Sequence, residues 1–338
     1  MDRRNLLKKL AASAALLTVT RVALLGCRRN AEWPPWRGCH KNEYYGVAAK
    51  LMGIPEEYRE KAAIIWEVSA FGDCALSLNS NGNFLTYEKN TVTYILIASK
   101  QLQIADHYND SPISYYQSFT NKKQFDEERA RFEAQGYDIR TRESGAMSTS
   151  QITDSFLQNN LEYIVMTVLH ENMHQSINAD PLLEEPICSV VGYHGLHLYA
   201  DSRLEPDAAK ELKKKGDDLE KYMKARRSAV NNAYARLREL YASGLHDKTK
   251  LKRKMDILKD LNGEAGDAYE KIYGKPSAPL GDLNNALVAD LITYSRYYDD
   301  VEGIVVNHSD LYEAINIYKN VPEGLEEGLS FLRRMRSK

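Results

Sequence analysis

The residues of this chain that are best suited to chemistry form the pentad His170-Glu171-Asn172-Met173-His174, which reads HExxH. In an α-helix, residues four positions apart lie on the same face, so the two imidazoles can bind one zinc ion. Glu171 follows the first histidine and lies beside the metal, where its carboxylate can accept a proton from a zinc-activated water. The pentad thus predicts two zinc ligands and the general base of a hydrolase.

The pentad follows an apolar run at residues 163–169, which indicates a buried helix. A chance HExxH is expected in roughly one such chain in a hundred, and a histidine pair on a surface helix needs no metal. A buried His-Glu-His group without a metal is costly, however, because buried polar groups need partners. The apolar context therefore favours a metal site.

A catalytic zinc usually has three protein ligands and one open position, so a third ligand is required. The HExxHxxGxxH pattern is absent, since Asp180 occupies the position of its third histidine. A carboxylate from the next helix is therefore expected, with Glu185 as the first choice and Glu184 as the second. His194 and His197 come later, and we expect them to be polar residues of that helix and not ligands.

These motifs resemble a family of bacterial predicted zinc aminopeptidases, whose signature is HELAHQ followed by a short loop and an NE-containing helix. Residues 170–175 match the first part, except that Asn172 and Met173 replace Leu-Ala. Glu185 matches the glutamate of the second part, and Gly195 follows ten residues later, as a glycine does in the family. The resemblance implies an aminopeptidase whose zinc ligands are the two histidines and Glu185.

Two further segments resemble that family, and together with Tyr44-Tyr45 they extend the similarity over most of the chain. Residues 136–149 are similar to its G-x-D-V…AYST block, although Met147 replaces the tyrosine. Residues 283–294 are similar to its LNNA…TY helix. This second similarity makes Tyr294 the candidate catalytic donor to the oxyanion. A buried core tyrosine is the alternative role for the same residue.

The N-terminus resembles a bacterial lipoprotein signal. Residues 1–9 are basic, residues 10–25 are mostly apolar, and Leu24-Leu25-Gly26-Cys27 places a small residue before a cysteine. We therefore predict cleavage before Cys27 and lipidation of that residue. An uncleaved anchor helix is the alternative, but the apolar run is short and is interrupted by Arg21, which does not suit a membrane span.

This signal sets the predicted domain organisation and location. We expect a signal peptide at 1–26, a linker at 27–41 and one zinc peptidase-like domain at 42–338. The mature protein would be attached by Cys27 to the periplasmic face of a bacterial membrane. Arg3-Arg4 also resembles a twin-arginine export signal.

The periodicity of apolar residues predicts an α+β fold that is predominantly α-helical, with a zincin-like metal helix, a small sheet and a long helical hairpin insertion at 203–262. Strand 137–142 is expected at the edge of the sheet, where it can bind a substrate backbone by added pairing. We expect the metal helix at 156–177, the second ligand helix at 185–199, other helices at 56–71, 123–135 and 283–294 (capped by Asp282), and other strands at 94–98 and 113–119.

The composition argues against one class of function only. A formal net charge of -2 gives no general case for nucleic-acid binding. The basic clusters 213–215 and 250–254 are expected on solvated faces, with contact to anionic lipid or cell-wall polymer as the alternative. Two functions remain open. The first is a membrane-anchored zinc aminopeptidase that acts on peptides, and the second is a non-catalytic envelope lipoprotein with a structural zinc and a partner-binding hairpin. Glu171 favours the first, because a structural site has no use for a base.

Overall fold

The computed structural model describes residues 49–50, 52–89, 92–144, 151–308 and 310–337. The predicted signal peptide, the linker with Cys27, Tyr44-Tyr45 and Met147 lie outside these residues. The strands are β1 (Tyr87–Glu88), β2 (Thr93–Ser99), β3 (Ser114–Phe119), β4 (Asp138–Ser144) and β5 (Ile152–Thr153). The helices are α1 (Arg59–Ala75), α2 (Lys122–Ala134), α3 (Asp154–Leu157), α4 (Leu161–His174), α5 (Pro181–Arg203), α6 (Pro206–Ala242), α7 (Asp247–Tyr273), α8 (Asn285–Thr293), α9 (Tyr298–His308), α10 (Leu311–Tyr318) and α11 (Leu325–Arg336).

The chain is mostly helical with a small sheet, which confirms the predicted α+β class. The main sheet is antiparallel with strand order β3-β2-β4, so β4 is an edge strand as expected. Its two faces are covered by different helices: Phe125 and Phe132 of α2 pack against Leu96, and Ala286 of α8 packs against Ile95. Strands β1 and β5 form a separate parallel pair. The sheet therefore holds β4 and α8 side by side.

The predicted metal helix is divided into two helices, which corrects the expected range 156–177. The side-chain amide of Asn159 donates to the carbonyl oxygens of Ser155 and Phe156 at 3.0 and 3.1 Å, and this ends α3. Asn160 then stands at the N-cap of α4 with an extended backbone. Side chains that hydrogen-bond the backbone locally compete with helix continuation, which explains the break.

The second ligand helix begins four residues earlier than predicted, at Pro181. The carboxylate of Asp180 accepts a hydrogen bond from the backbone N–H of Leu182 at 2.9 Å and caps the helix. Pro181 suits the first helical position because its missing N–H would have no partner there. The chain therefore turns sharply after His174 and places α5 directly against α4.

Two glycines of α5 allow its close approach to α4. A Cβ atom at Gly192 would lie 2.6 Å from the backbone oxygen of Met166, one turn before His170. A Cβ atom at Gly195 would lie 2.7 Å from Leu169 Cδ1, the end of a side chain. The Met166 backbone cannot move away from a Cβ atom at Gly192 unless α4 and α5 separate. The Leu169 methyl group near Gly195 can rotate away.

We expect Gly192→Ala to lower the free energy of unfolding by about 1–3 kcal/mol, the usual cost of overpacking a close contact. Gly195→Ala is the matched control and should cost less. Denaturant unfolding of both variants beside the wild type measures this difference. A larger loss in Gly195→Ala would contradict the assignment of Gly192 as the point of closest helix contact.

The hairpin of α6 and α7 is longer than predicted, because α7 continues past residue 262 to Tyr273 and ends at Gly274, whose φ is 67°. The hairpin packs against α8 through a buried cluster that includes Leu237, Leu258 and Leu287. A second contact is polar: Lys254 is 3% exposed and forms an ion pair with Asp138 at the start of β4. The hairpin is thus fixed to the sheet and to α8.

Lys254 therefore contradicts the prediction of a solvated face for 250–254, because its side chain is buried and paired with Asp138. The other cluster agrees with that prediction, since the side chains of its lysines are 32–80% exposed, and each also has an acidic neighbour. These pairs are Lys213 with Asp201, Lys214 with Asp218 and Lys215 with Glu211.

In the described part of the chain, no helix combines the length and apolar composition that a membrane span requires.

Helix α8 begins at Asn285, and its N-cap is Asn284 and not Asp282 as predicted. The Asn284 side chain accepts from the N–H of Leu287 at 3.0 Å and donates to the carbonyl oxygen of Ile139 in β4 at 2.6 Å. The cap thus serves both the helix and the neighbouring strand. Tyr294 follows as the C-cap residue of α8.

Candidate functional site

Three predicted ligands meet between α4 and α5. His170, His174 and Glu185 each offer one ligand atom, and these atoms lie within 4.8 Å of one another. The two Nε2 atoms are 3.1 Å apart, and Glu185 Oε2 lies 3.3 and 3.6 Å from those of His170 and His174, respectively. The i, i+4 spacing on α4 and the position of Glu185 in the second turn of α5 produce this convergence.

The donor set fits a divalent metal ion. Two imidazole nitrogens and one carboxylate oxygen are a common ligand set of catalytic zinc. Glu185 Oε2 is buried and has no hydrogen-bond partner, which would be costly if nothing bound it. Burial disfavours its charged form, yet the adjacent His170 and His174 lower the pKa of Glu185 below its ordinary value. A carboxylate that stays ionised in this position is suited to a cation.

The other oxygen of Glu185 is held by a residue that sequence reasoning missed. The hydroxyl of Tyr108 donates to Glu185 Oε1 at 3.2 Å, and the backbone N–H of Tyr108 donates to Thr293 Oγ1 in α8 at 3.1 Å. Tyr108 lies in the loop between β2 and β3, and nothing in its local sequence indicates a site. Its hydrogen bond orients the carboxylate so that Oε2 faces the histidines.

Glu184 orients a ligand. Its Oε1 atom lies 2.6 Å from Nδ1 of His174, the ring nitrogen that does not face the cluster. An acceptor at Nδ1 fixes the tautomer with the proton there and leaves Nε2 free to bind a metal. Of the two candidate carboxylates, Glu185 therefore belongs to the group that could hold a metal ion, and Glu184 bonds to His174.

We expect Glu185→Gln to reduce zinc affinity by more than the roughly 10–100-fold that loss of an outer partner costs. Glu184→Gln should have a smaller effect, because the amide oxygen of glutamine can still accept the proton on Nδ1 of His174. Competition with a chelator of known affinity measures both. If the larger loss occurs in Glu184→Gln, the roles of the two glutamates must be exchanged.

Glu171 is 8% exposed and lines the cleft beside the two histidines. Burial raises the pKa of Glu171, and the neighbouring His170 opposes that shift. The side chain of Asn83 donates to the backbone oxygen of Glu171 at 3.0 Å and so fixes this turn of α4. The geometry places a carboxylate next to the ligand cluster without making it a member of that cluster.

Asn172, which departs from the HELAHQ signature, has buried polar partners. Its side-chain amide donates to Ser69 Oγ in α1 at 3.1 Å, and its Oδ1 accepts from Asn83 at 3.2 Å. A buried asparagine with both ends satisfied is compatible with a stable core. The departure from the signature thus has a local explanation in Ser69 and Asn83.

Tyr294 lines the same cleft at the C-terminus of α8. Burial, and then the charge of Glu185, raise the pKa of Tyr294 well above its ordinary value, so the phenol remains a proton donor. His194 and His197 lie further along α5, outside the ligand cluster, as expected. His197 Nε2 lies 3.1 Å from Asp217 in α6, and burial lowers the pKa of His194 to about 4.

The cluster opens into a cleft of about 990 Å³. The hairpin helix α6 forms one wall of the cleft, which sequence reasoning did not foresee. Edge strand β4 and helix α8 form another part of its lining. The residues from these elements are Leu219, Glu220, Tyr222, Met223, Arg226 and Arg227 of α6, Arg140, Arg142 and Glu143 of β4, and Asp290 and Leu291 of α8.

Comparison with known proteins places residues 48–321 in a sequence family described as putative aminopeptidase. The matched range includes both helices of the ligand cluster, strand β4 and the hairpin. No curated protein and no solved structure shows significant similarity to the chain.

Proposed function

The chain belongs to the putative aminopeptidase family, and from this membership and its site we propose that it is a zinc-dependent peptidase that removes residues from the amino termini of peptides. One observation carries the zinc: the convergence of His170, His174 and the unpartnered Glu185 Oε2. Two histidines from one helix and a glutamate from the next constitute, in this proposal, a zincin-like centre.

Zinc bound to these three residues would polarise the scissile carbonyl and lower the pKa of a water molecule towards 7. Glu171 is placed to accept the proton of the attacking water and to pass it to the leaving amine. Tyr294, as a protonated phenol in the same cleft, would donate a hydrogen bond to the oxyanion. Glu184 and Tyr108 hold His174 and Glu185 in position throughout.

The alternative of a structural zinc in a scaffold protein has less support. A structural site is closed by four ligands, whereas the described residues here bring three together beside a cleft. The hairpin, which the alternative uses as a binding arm, packs against α8 and forms a wall of that cleft. Glu171 beside the ligands favours catalysis, because a structural zinc site has no use for a base.

Two peptides assayed side by side test the proposed function. The first has a free amino terminus and releases a single residue when cleaved, and the second is blocked at both ends and internally quenched. We expect release from the first, loss of this activity with a chelator and recovery with zinc. Cleavage of the blocked peptide alone would discard aminopeptidase action but keep the zinc chemistry, and no cleavage of either would refute the peptidase.

We also propose that the enzyme acts as a lipoprotein at the periplasmic face of a membrane, on the basis of the Leu24-Leu25-Gly26-Cys27 box. Cys27→Ser should abolish metabolic labelling with a fatty acid in a bacterial host, because the thiol that carries the diacylglycerol is gone. Cys188→Ser is the matched control, since that thiol is fully buried. Labelling that persists in Cys27→Ser would show that the signal was misinterpreted.

A further inference from the structure

The cleft contains more arginine than its ion pairs require. Arg227 is paired with Glu220, and Arg140 is paired with Asp290 at 2.6 Å. Two further guanidinium groups, those of Arg142 and Arg226, line the same cleft without a close carboxylate of their own.

Arg142 has an unused donor. Asp290 Oδ1 lies 3.7 Å from the Nη2 atom of Arg142, too far for a hydrogen bond, and Asp290 pairs with Arg140 through its other oxygen, Oδ2. The Nε atom of Arg142 is buried and has no hydrogen-bond partner. Although burial disfavours its charge, Asp290 and Tyr294 raise the pKa of Arg142, so the group stays cationic. A buried N–H donor of a cation without an acceptor is costly.

Arg226 lines the same cleft from α6. Its guanidinium carbon lies 5.7 Å from the centre of the Tyr222 ring, and within the described residues it forms no ion pair. Burial lowers the pKa of Arg226, and Tyr222 and then the charge of Asp290 only partly offset this. Asp290, which already pairs with Arg140, is thus a carboxylate whose charge acts on both Arg142 and Arg226.

Carboxylates surround the ligand cluster. Glu171, Glu184 and Glu185 lie at the α4–α5 side of the cleft, and the charge of Arg142 reaches both Glu171 and Glu185. Arg142 therefore stands close to where the peptide bond would be cleaved, and Arg226 lines the same cleft. The fork of a guanidinium matches a carboxylate with two parallel hydrogen bonds, which makes arginine the usual recognition group for that anion.

We propose that Arg142 and Arg226 form a subsite that binds a carboxylate of the substrate, so that the preferred substrates are short peptides with a free C-terminal carboxylate. The substrate statement rests on the proposed peptidase function, whereas the anion subsite itself does not. The cleft volume lies at the upper end of the range for small-molecule sites, which suits a short peptide. An acidic side chain would present the same chemistry, and the test separates the two sources.

Binding is measured by calorimetry with the zinc-loaded Glu171→Gln protein, so that peptides are not consumed. The ligands are Ala-Ala-Ala, its C-terminal amide, and the amide of Ala-Glu-Ala. We expect the free acid to bind about 10–100-fold more tightly than its amide, as for a hydrogen-bonded charge pair. Arg142→Gln and Arg226→Gln, each added to Glu171→Gln, should each remove most of this preference while zinc content stays unchanged.

Arg236→Gln is the matched control. Arg236 lies on the same helix as Arg226, is 39% exposed at its side chain and pairs with Asp260 of α7, outside the cleft. It should leave the preference for the acid unchanged. Arg142→Lys and Arg226→Lys keep the charge and should restore part of the preference, which a merely structural loss would not allow.

Equal affinity for acid and amide, or no detectable binding of any of the three peptides, would overturn the subsite. A preference that survives in either glutamine variant would also overturn it, since the carboxylate would then bind elsewhere, the metal included. If the amide of Ala-Glu-Ala binds as tightly as Ala-Ala-Ala, the subsite holds and takes acidic side chains. A subsite that passes these tests in a protein without peptidase activity would refute the proposed function alone.

Discussion

Glu171→Gln is expected to retain zinc and the native fold and to lose peptide hydrolysis by about 10³-fold or more, near the upper end of what a general base contributes. Glutamine has nearly the same shape as glutamate but accepts no proton under these conditions. The substitution leaves both imidazoles, the Glu185 carboxylate and the hydrogen bond from Asn83 to the backbone of residue 171 in place. Single-turnover rates and zinc content of the same preparation measure the two effects together.

Glu162→Gln provides the matched control for this variant. Glu162 lies in the first turn of the same helix, α4, and is not part of the cleft lining. It should therefore retain the rate of the wild type. If Glu171→Gln hydrolyses peptides as fast as the wild type, the proposed proton transfer is wrong, whatever its metal content.

The residues close to one another in sequence were the ones that sequence could place. His170, Glu171 and His174 act through the geometry of a single helix, so spacing alone predicts their arrangement. Glu185 lies on the next helix, after a short turn, and its position followed from the resemblance to a family motif. The structure adds the reason for its orientation, because Tyr108, 77 residues away, holds one of its oxygens.

The walls of the cleft depend on contacts that no local pattern encodes. The amphipathic pattern of the hairpin shows that α6 has a buried side, but not that its Arg226 and Met223 line the cleft. In sequence, Arg142 is an ordinary polar residue of β4. That its Nε atom is buried without a hydrogen-bond partner follows only from the packing of the sheet with its neighbours. The composition of the cleft lining is thus a property of tertiary packing.

The predicted helix boundaries were wrong where an asparagine side chain competed for backbone hydrogen bonds. Apolar periodicity continued across residues 156–177, so it predicted one helix, whereas the amide of Asn159 ends α3 by bonding to two of its carbonyl oxygens. The same competition placed the cap of α8 at Asn284, where the side chain also bonds to β4. Asparagine at a helix end was therefore a stronger signal than the apolar pattern around it.

The second large effect concerns the metal itself. The wild-type protein is expected to hold about one zinc ion per chain. His170→Ala, His174→Ala and the double variant should lose it, because each removes at least one of only three protein ligands.

Zinc that binds only the folded protein raises its melting temperature, so added zinc should stabilise the wild type and leave the variants unchanged. His197→Ala is the control. His197 pairs with Asp217 away from the cluster, so this variant should retain zinc. Elemental analysis and thermal unfolding with and without zinc measure both effects. Zinc content equal to that of the wild type in the double variant would place the metal elsewhere and remove the basis for a hydrolytic centre on α4.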